Sequence, residues 1–395
     1  MRLPICILAL ALSAWAADID TPQPADAQDQ APAPAPQTPA PADATKPADA
    51  TPPAPPPKYE GFVFSGLADG YFTVNFDHPT GNANQLQNFD LNNATPEMSL
   101  VKVTVDKSDK IIGFHVDAGF GETMRLVHAG DVAAQDHKAL RYIEQMYAIA
   151  KPNHTHGTEI DFGQFVTSAG AEVIEANANW NYSRSLLFAW AIPYYHFGLR
   201  TSTPVTKSWT LGVQVVNAWN TVWGNNDMKN VGITSAFTRT KYTWSANYYV
   251  GPNHPGTSSG KRNLVDSTLL LTPDAKFNIY INGDYGRDNN PVGPGYSEWY
   301  GAAAAAHIQI TSKFAVSPRV EVFDDANGFS TGTMQTIKEG TITGEYKYND
   351  HFIGRLEWRH DSSDAPFFDR GAQMFVAKGQ TTFTVALMAI LGPLK

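Results

Sequence analysis

The chain is short of cysteine, of charge and of long apolar runs. One cysteine, Cys6, occurs in 395 residues. That excludes disulfides and cysteine-based zinc sites. Charged residues make up 17%, well under the ~25% of ordinary soluble domains. No apolar run approaches the ~20 residues that a membrane-spanning helix needs. The net charge is −9. Nucleic acid is therefore not an expected partner, because a phosphate-binding surface must be basic.

What is present falls into three parts. Residues 1–16 read as a secretory signal peptide: Arg2, an apolar run from Ile5 to Leu12, then Ala14-Trp15-Ala16 as an A-x-A cleavage pattern. Cys6 lies inside that run, so the mature chain is expected to lack cysteine. Residues 17–57 hold 13 Pro and 12 Ala. Such a stretch cannot build a core and favours polyproline II, reaching ~130 Å at ~3.1 Å per residue. It reads as a semi-rigid periplasmic spacer, with cell-wall contact as a second role. Residues 58–395 carry 27 basic and 32 acidic side chains and form the third part.

That part alternates apolar and polar residues with period two, in segments of about ten. Phe114, Val116, Ala118 and Phe120 alternate with Gly113, His115, Asp117 and Gly119. Gly354, Leu356 and Trp358 alternate with Arg355, Glu357 and Arg359. About sixteen segments (14–18) can be placed, and the connections between them run long, short, long, short. The short ones carry turn formers such as Thr272-Pro273-Asp274 and Tyr348-Asn349-Asp350. Antiparallel neighbours with unequal ends are the pattern of an all-β, transmembrane, up-and-down β-barrel. An even strand number puts both termini on one side, expected to be periplasmic.

Alternation alone fits a soluble sandwich as well. Two features favour the barrel. Full charges sit opposite apolar strand positions: Asp117, Asp161, Arg319, Glu321, Glu345, Lys347, Arg355, Glu357, Arg359 and Asp361. Aromatics crowd segment ends as a membrane girdle would: Tyr71, Phe72, Tyr194, Tyr195, Trp209, Tyr248, Tyr249, Trp299, Tyr300 and Trp358. Hydrocarbon offers no hydrogen-bond partners, so without a spanning helix a closed sheet is the remaining solution. Sixteen strands are expected to enclose an aqueous channel rather than a packed interior.

Several stretches carry a family resemblance. They are Glu159 to Glu172, Asn179 to Phe188, Ile192 to Arg200, Val216 to Asn220, Pro318 to Asp325 and Arg355 to Asp361. Over about 61–395 the chain resembles the OmpL-like outer-membrane β-barrel porins. The resemblance implies passive permeation of solutes and names no solute and no functional residues. The chain departs from outer-membrane barrels in ending Gly392-Pro393-Leu394-Lys395 rather than on an aromatic. The barrel assembly machinery is then expected to read the strand around Phe383.

In many porins the third long connection, here 167–193, folds inward. Its charged residues Glu172, Glu175 and Arg184 are the candidates for a pore constriction, where opposed charges would screen solutes. The bland alternative is a loop at the rim with solvated charges. Arg319, Glu321, Glu345, Lys347, Arg355, Glu357 and Arg359 fall on three consecutive strands, ~5 Å apart across strands. They are the candidates for a charge ladder on the inner wall, either for rigidity or as a solute track. Gly256-Thr257-Ser258-Ser259-Gly260 matches G-x-S-x-G without the strand-to-helix turn a nucleophile needs. His154, His156 and Asp324 to Gly328 lack the spacing of metal sites.

The expectation is an outer-membrane porin of a Gram-negative-type bacterium, passing small hydrophilic solutes through a water-filled lumen. It carries no catalytic, metal or cofactor site. Its partners are outer-membrane lipid, the assembly machinery and the solutes themselves, and a homotrimer is one option because trimers are common among sixteen-stranded porins. The alternatives are a loop-occluded structural or adhesive barrel, and a secreted soluble β protein acting on glycans.

Overall fold

A computed structural model describes residues 61–392. The signal peptide, the spacer and the last three residues lie outside the described residues. Sixteen strands close into one antiparallel barrel. They begin with β1 (Phe62–Asn75), β2 (Glu97–Ser108), β3 (Ile112–Phe120) and β4 (Ile143–Ala150). Next come β5 (Glu159–Val166), β6 (Tyr195–Pro204), β7 (Trp209–Val216) and β8 (Asn230–Arg239). β9 (Tyr242–Pro252), β10 (Lys261–Leu271), β11 (Phe277–Asn289) and β12 (Tyr296–Gln309) follow. β13 (Phe314–Asp325), β14 (Gln335–Asn349), β15 (Phe352–Ser363) and β18 (Gly379–Leu391) complete the wall. β18 closes on β1 from Gly66↔Leu391 to Asn75↔Thr382, so no edge is left unpaired.

The side-chain period of two sets the faces. Val103, Phe162, Val213, Ile233, Val320 and Leu387 point outward and are exposed. The charged residues named from the sequence point inward. An exposed apolar belt around a charged interior suits a bilayer and would not suit water.

Three details depart from the sequence reading. The fourth strand begins at Ile143 rather than near 140, because residues 138–142 form a 3-10 turn. That turn follows two short helices, α1 (Glu122–Val127) and α2 (Val132–Asp136), in the second long loop. The last long connection holds its own hairpin, β16 (Phe368–Arg370) with β17 (Gln373–Ala377). Half of the supposed aromatic girdle is internal. Phe72, Trp209, Tyr248, Tyr300 and Trp358 face outward, but Tyr71, Tyr195, Tyr249 and Trp299 face inward and are buried, and Tyr194, just before β6, packs on Phe89 and Phe188.

The inward aromatics have a reason, and it corrects the expected empty lumen. The long loop between β5 and β6 turns into the barrel. Leu186, Leu187, Phe188, Ala191 and Ile192 on it pack against Leu264, Tyr280, Trp299, Phe323 and Ile337 of the wall. A second apolar cluster joins Leu67, Tyr71, Leu100, Ile353, Met388 and Ile390 to Tyr182 of the same loop. Part of the interior is therefore a packed core.

Candidate functional site

The loop 167–194 has little regular structure. Inside a barrel its amide and carbonyl groups must still find partners. The wall supplies them as charges. Glu357 of β15 accepts from the backbone N–H of Tyr182 at 2.6 Å and of Ser183 at 2.9 Å. Glu321 of β13 accepts from the N–H of Leu186 at 2.8 Å. Arginines take the carbonyls: Arg355 donates to those of Ala176 and Asn181 at 2.7 and 3.1 Å. Arg359 donates to that of Arg184 at 2.8 Å. Arg319 donates to that of Ser183 at 2.7 Å. The alternating signs of the ladder thus match the alternating donors and acceptors of a peptide chain.

Each clamping charge is itself held. Arg355 pairs with Glu345 at 2.6 Å and Arg359 with Asp361 at 2.8 Å. Arg319 lies 2.8 Å from Glu172 and 3.3 Å from Glu339. Removing one member of such a buried set strands the other, at about 3–5 kcal/mol. Side-chain hydrogen bonds extend the seam: the Asn181 amide donates to the Thr343 hydroxyl at 2.7 Å, and the Tyr182 hydroxyl to Asp69 of β1 at 3.0 Å.

The three constriction candidates share this loop but do not oppose one another across a gap. Glu172 is buried, accepting from Arg319, from the Tyr280 hydroxyl at 3.0 Å and from the Ser185 N–H at 2.6 Å. Arg184 is 2% exposed. Its guanidinium donates to the carbonyls of Tyr182 and Ile174 and lies 5.2 Å above the Phe89 ring. Only Glu175 keeps access, with 16% of its side chain exposed, and it pairs with Lys102 of β2. Of the ladder, Arg319, Glu321, Glu345, Arg355, Glu357 and Arg359 are brought together, all buried. Lys347 stands apart at the short-turn end with 45% of its side chain exposed, 3.7 Å from Glu345.

Sequence reasoning missed Glu339, Lys102, Glu144 and Arg200. The parity of Glu339 with Glu345 on β14 would have found the first, and Lys102 between Val101 and Val103 the second. Asp117, Glu144 and Glu175 bring carboxylate oxygens within 4.8 Å of one another. The Lys102 ammonium lies 3.3 Å from Asp117 and 3.6 Å from Glu144, so it is their counter-ion.

Other long loops cap the same side. In the loop 76–96, Phe89 packs on Phe188 and Tyr194. Asp90 there is buried beside Arg359, and its oxygens find no hydrogen-bond donor among the described residues. Burial pushes its carboxyl up to about 7 despite the pull of Arg359. In the second loop, burial opposes ionisation of Asp131. Donors outweigh it and hold the carboxyl below its usual range. Among them are the Tyr195 hydroxyl at 2.7 Å and the Ala133 N–H at 3.0 Å.

The wall from β5 to β9 is different. Arg200 pairs with Asp161 at 2.7 Å and stacks on Phe165 and Tyr147, with 14% of its side chain exposed. Ser202, Thr210, Gln214, Thr234 and Asn247 continue a polar recess of about 50 Å³ between wall and loop. The arrangement can sieve by size and impose a field.

A closed sixteen-stranded barrel with an apolar outer belt and an inward third loop defines the class of outer-membrane porin-type proteins. The family model described as "Putative beta-barrel porin-2, OmpL-like" matches residues 61–391, and the chain belongs to that family. Solved structures agree on the fold. The chain is similar to an anion-selective porin from Comamonas acidovorans (TM-score 0.59, 7% identity, covering 84% of this chain and 99% of that one). It is also similar to the outer membrane channel DcaP of Acinetobacter baumannii (0.55, 10%, 84% and 97%). A third likeness is to OmpT of Vibrio cholerae in its trimer form (0.54, 10%, 83% and 98%). No curated protein matches the chain.

Proposed function

We propose that this protein is a porin through which small hydrophilic solutes diffuse along the β5–β9 side of the lumen. One observation carries the reading: the charges that bind the inward loop's backbone lie on β10–β15, while the recess around Arg200 is lined mostly by polar side chains and meets the loop at Ser168. Arg200 sets the field in that passage, and Glu175 adds its charge from the neighbouring β2–β4 wall, where it pairs with Lys102. Glu172 and Arg184 hold the loop's shape, and the ladder from Arg319 to Arg359 acts as its clamp rather than as a solute track. The start of β1, the end of β18 and the short turns face the periplasm.

The barrel's wall height supports assembly with further copies. β3, β4, β5 and β7 have only 8 or 9 residues, at or below the ~9–11 a tilted strand needs to span hydrocarbon. A low wall is covered better by another copy than by lipid, as a homotrimer would provide.

A second reading, a barrel occluded by its loops, draws on the two apolar clusters inside the lumen and on the small recess. Liposome swelling with sugars of graded size separates the two. Uptake that falls with sugar size supports the porin. No uptake of even the smallest sugar, from a barrel that is heat-modifiable on a gel, supports occlusion.

A further inference from the structure

The outer wall carries an apolar trough near the short-turn end, with a volume of about 510 Å³. Phe314, Ile342, Leu356, Trp358, Val385 and Leu387 form its sides. Its floor is low because the outward positions 344 and 354 are glycines. Gly344 faces Leu356 across β14–β15, and Gly354 faces Leu387 across β15–β18, so the two lie in one slanting line. A Cβ on Gly344 would meet the Phe314 ring no closer than 3.6 Å, and one on Gly354 would meet Leu387 at 3.6 Å. Larger side chains would therefore enter the trough and leave the sheet intact.

The nearby rim is cationic. Each of the first six short turns contains a lysine: Lys110, Lys151, Lys207, Lys241, Lys276 and Lys313. Lys347 stands beside the seventh. The acids in these turns are Asp109, Asp274 and Asp350. Lys313 is exposed, makes no ion pair among the described residues, and lies 5.8 Å above the Tyr348 ring. Phe314 and Tyr346 of the trough pair with each other directly beside it. An apolar channel that ends at a lysine and two tyrosines matches a molecule with an acyl chain and a phosphate.

This wall is also the tall one. β11 to β15 and β18 have 12 to 15 residues, enough to span the hydrocarbon alone. Lipid, rather than a second copy, is its natural neighbour.

We propose that the trough holds one acyl chain of an anionic glycerophospholipid in the leaflet at the short-turn end, with the phosphate on Lys313. The inference rests on the porin reading only for naming that leaflet periplasmic. The test uses the full chain folded in detergent and titrated with palmitoyl-oleoyl phosphatidylglycerol, with bound lipid counted by native mass spectrometry. Gly344→Leu should lower retention by about tenfold, the scale of a few methylenes left without apolar cover. Lys313→Glu should lower it by about fivefold and erase the preference for phosphatidylglycerol over phosphatidylethanolamine. Retention unchanged in both folded variants would overturn the proposal. So would efficient cross-linking of Gly344→Cys between copies, which would give the trough to a second barrel. Neither variant touches the lumen, so both should conduct as the parent does. If no form conducts, the porin reading fails while lipid retention still decides the site.

Discussion

Two sectors of one barrel line the interior differently, one with many full charges and the other mostly with neutral polar groups. From β10 round to β15, inward charges meet the backbone of the third long loop and are buried with it. From β5 to β9, Arg200 pairs with Asp161 and keeps part of its surface in the lumen, and the loop is touched by the neutral amides of Gln214 and Asn247 at Ser168. The difference lies both in what faces each wall and in its composition: the inward charges of β5–β9 are Glu159, Asp161 and Arg200, and the rest of that face is neutral, as at Gln214, Thr234 and Asn247. A charge opposite a peptide chain becomes a clamp, and a charge opposite a gap remains available to solutes.

Breaking the clamp should have the largest effect. Arg319→Ala strands Glu172, Glu321 and Glu339 together, and Glu357→Ala strands two loop N–H groups. The first should cost about 3–5 kcal/mol and the second about 1–3 kcal/mol per stranded group, both read as a fall in the temperature of heat-modifiability. Single-channel conductance should rise as the loop leaves the wall. A stable barrel with the parent's conductance would mean that the loop is held by its apolar residues alone.

Asp90 gives the next effect, and it depends on pH. Its carboxyl moves from 3.8 to about 7 on folding, because it is buried. The folded state therefore holds the proton more tightly than the unfolded chain. The stabilisation is complete below about pH 4 and is lost as pH rises through about 7. Asp90→Asn should remove that slope, gaining at most a few kcal/mol at pH 8 and nothing at pH 4. Denaturant unfolding at the two pH values checks it. Equal slopes for parent and variant would count against a buried, unpaired carboxyl.

On the open side the effects should be electrostatic rather than structural. Arg200→Gln removes a cation facing the passage. A unit charge at ~4 Å in water is worth about 1 kcal/mol, so the anion-to-cation permeability ratio should fall about fivefold. Reversal potentials in a salt gradient measure it. Glu175→Gln should give the smallest change. Lys102 keeps Asp117 and Glu144, and losing the third acid also relieves their mutual repulsion, so stability should change little. The selectivity change should be opposite in sign to that of Arg200→Gln.

The wall was legible in the sequence because lipid and lumen enforce a period of two on every strand. Val320 and Val322 out with Arg319 and Glu321 in could be read directly. The inward position of Trp299 and Tyr249 could not, since an aromatic at a strand end satisfies a membrane interface and a packed core equally well. The loop was harder still. Arg319 lies 147 residues from Glu172, and no local pattern announces a contact at that separation. Glu172 and Arg184 were found as charges on the right loop. Their burial depends on partners that only the closed barrel brings within reach. Glu339 was within reach of the alternation argument and was passed over. The hairpin β16–β17 is too short to show a period at all.

The proposed permeation requires a lumen that stays open along one side while a loop fills the other. Single-channel recording of the folded full chain in planar bilayers tests that most directly. Small, steady, ohmic steps that Arg319→Ala enlarges are the expected result. A parent barrel that inserts and passes no current, with Arg319→Ala equally silent, would contradict it.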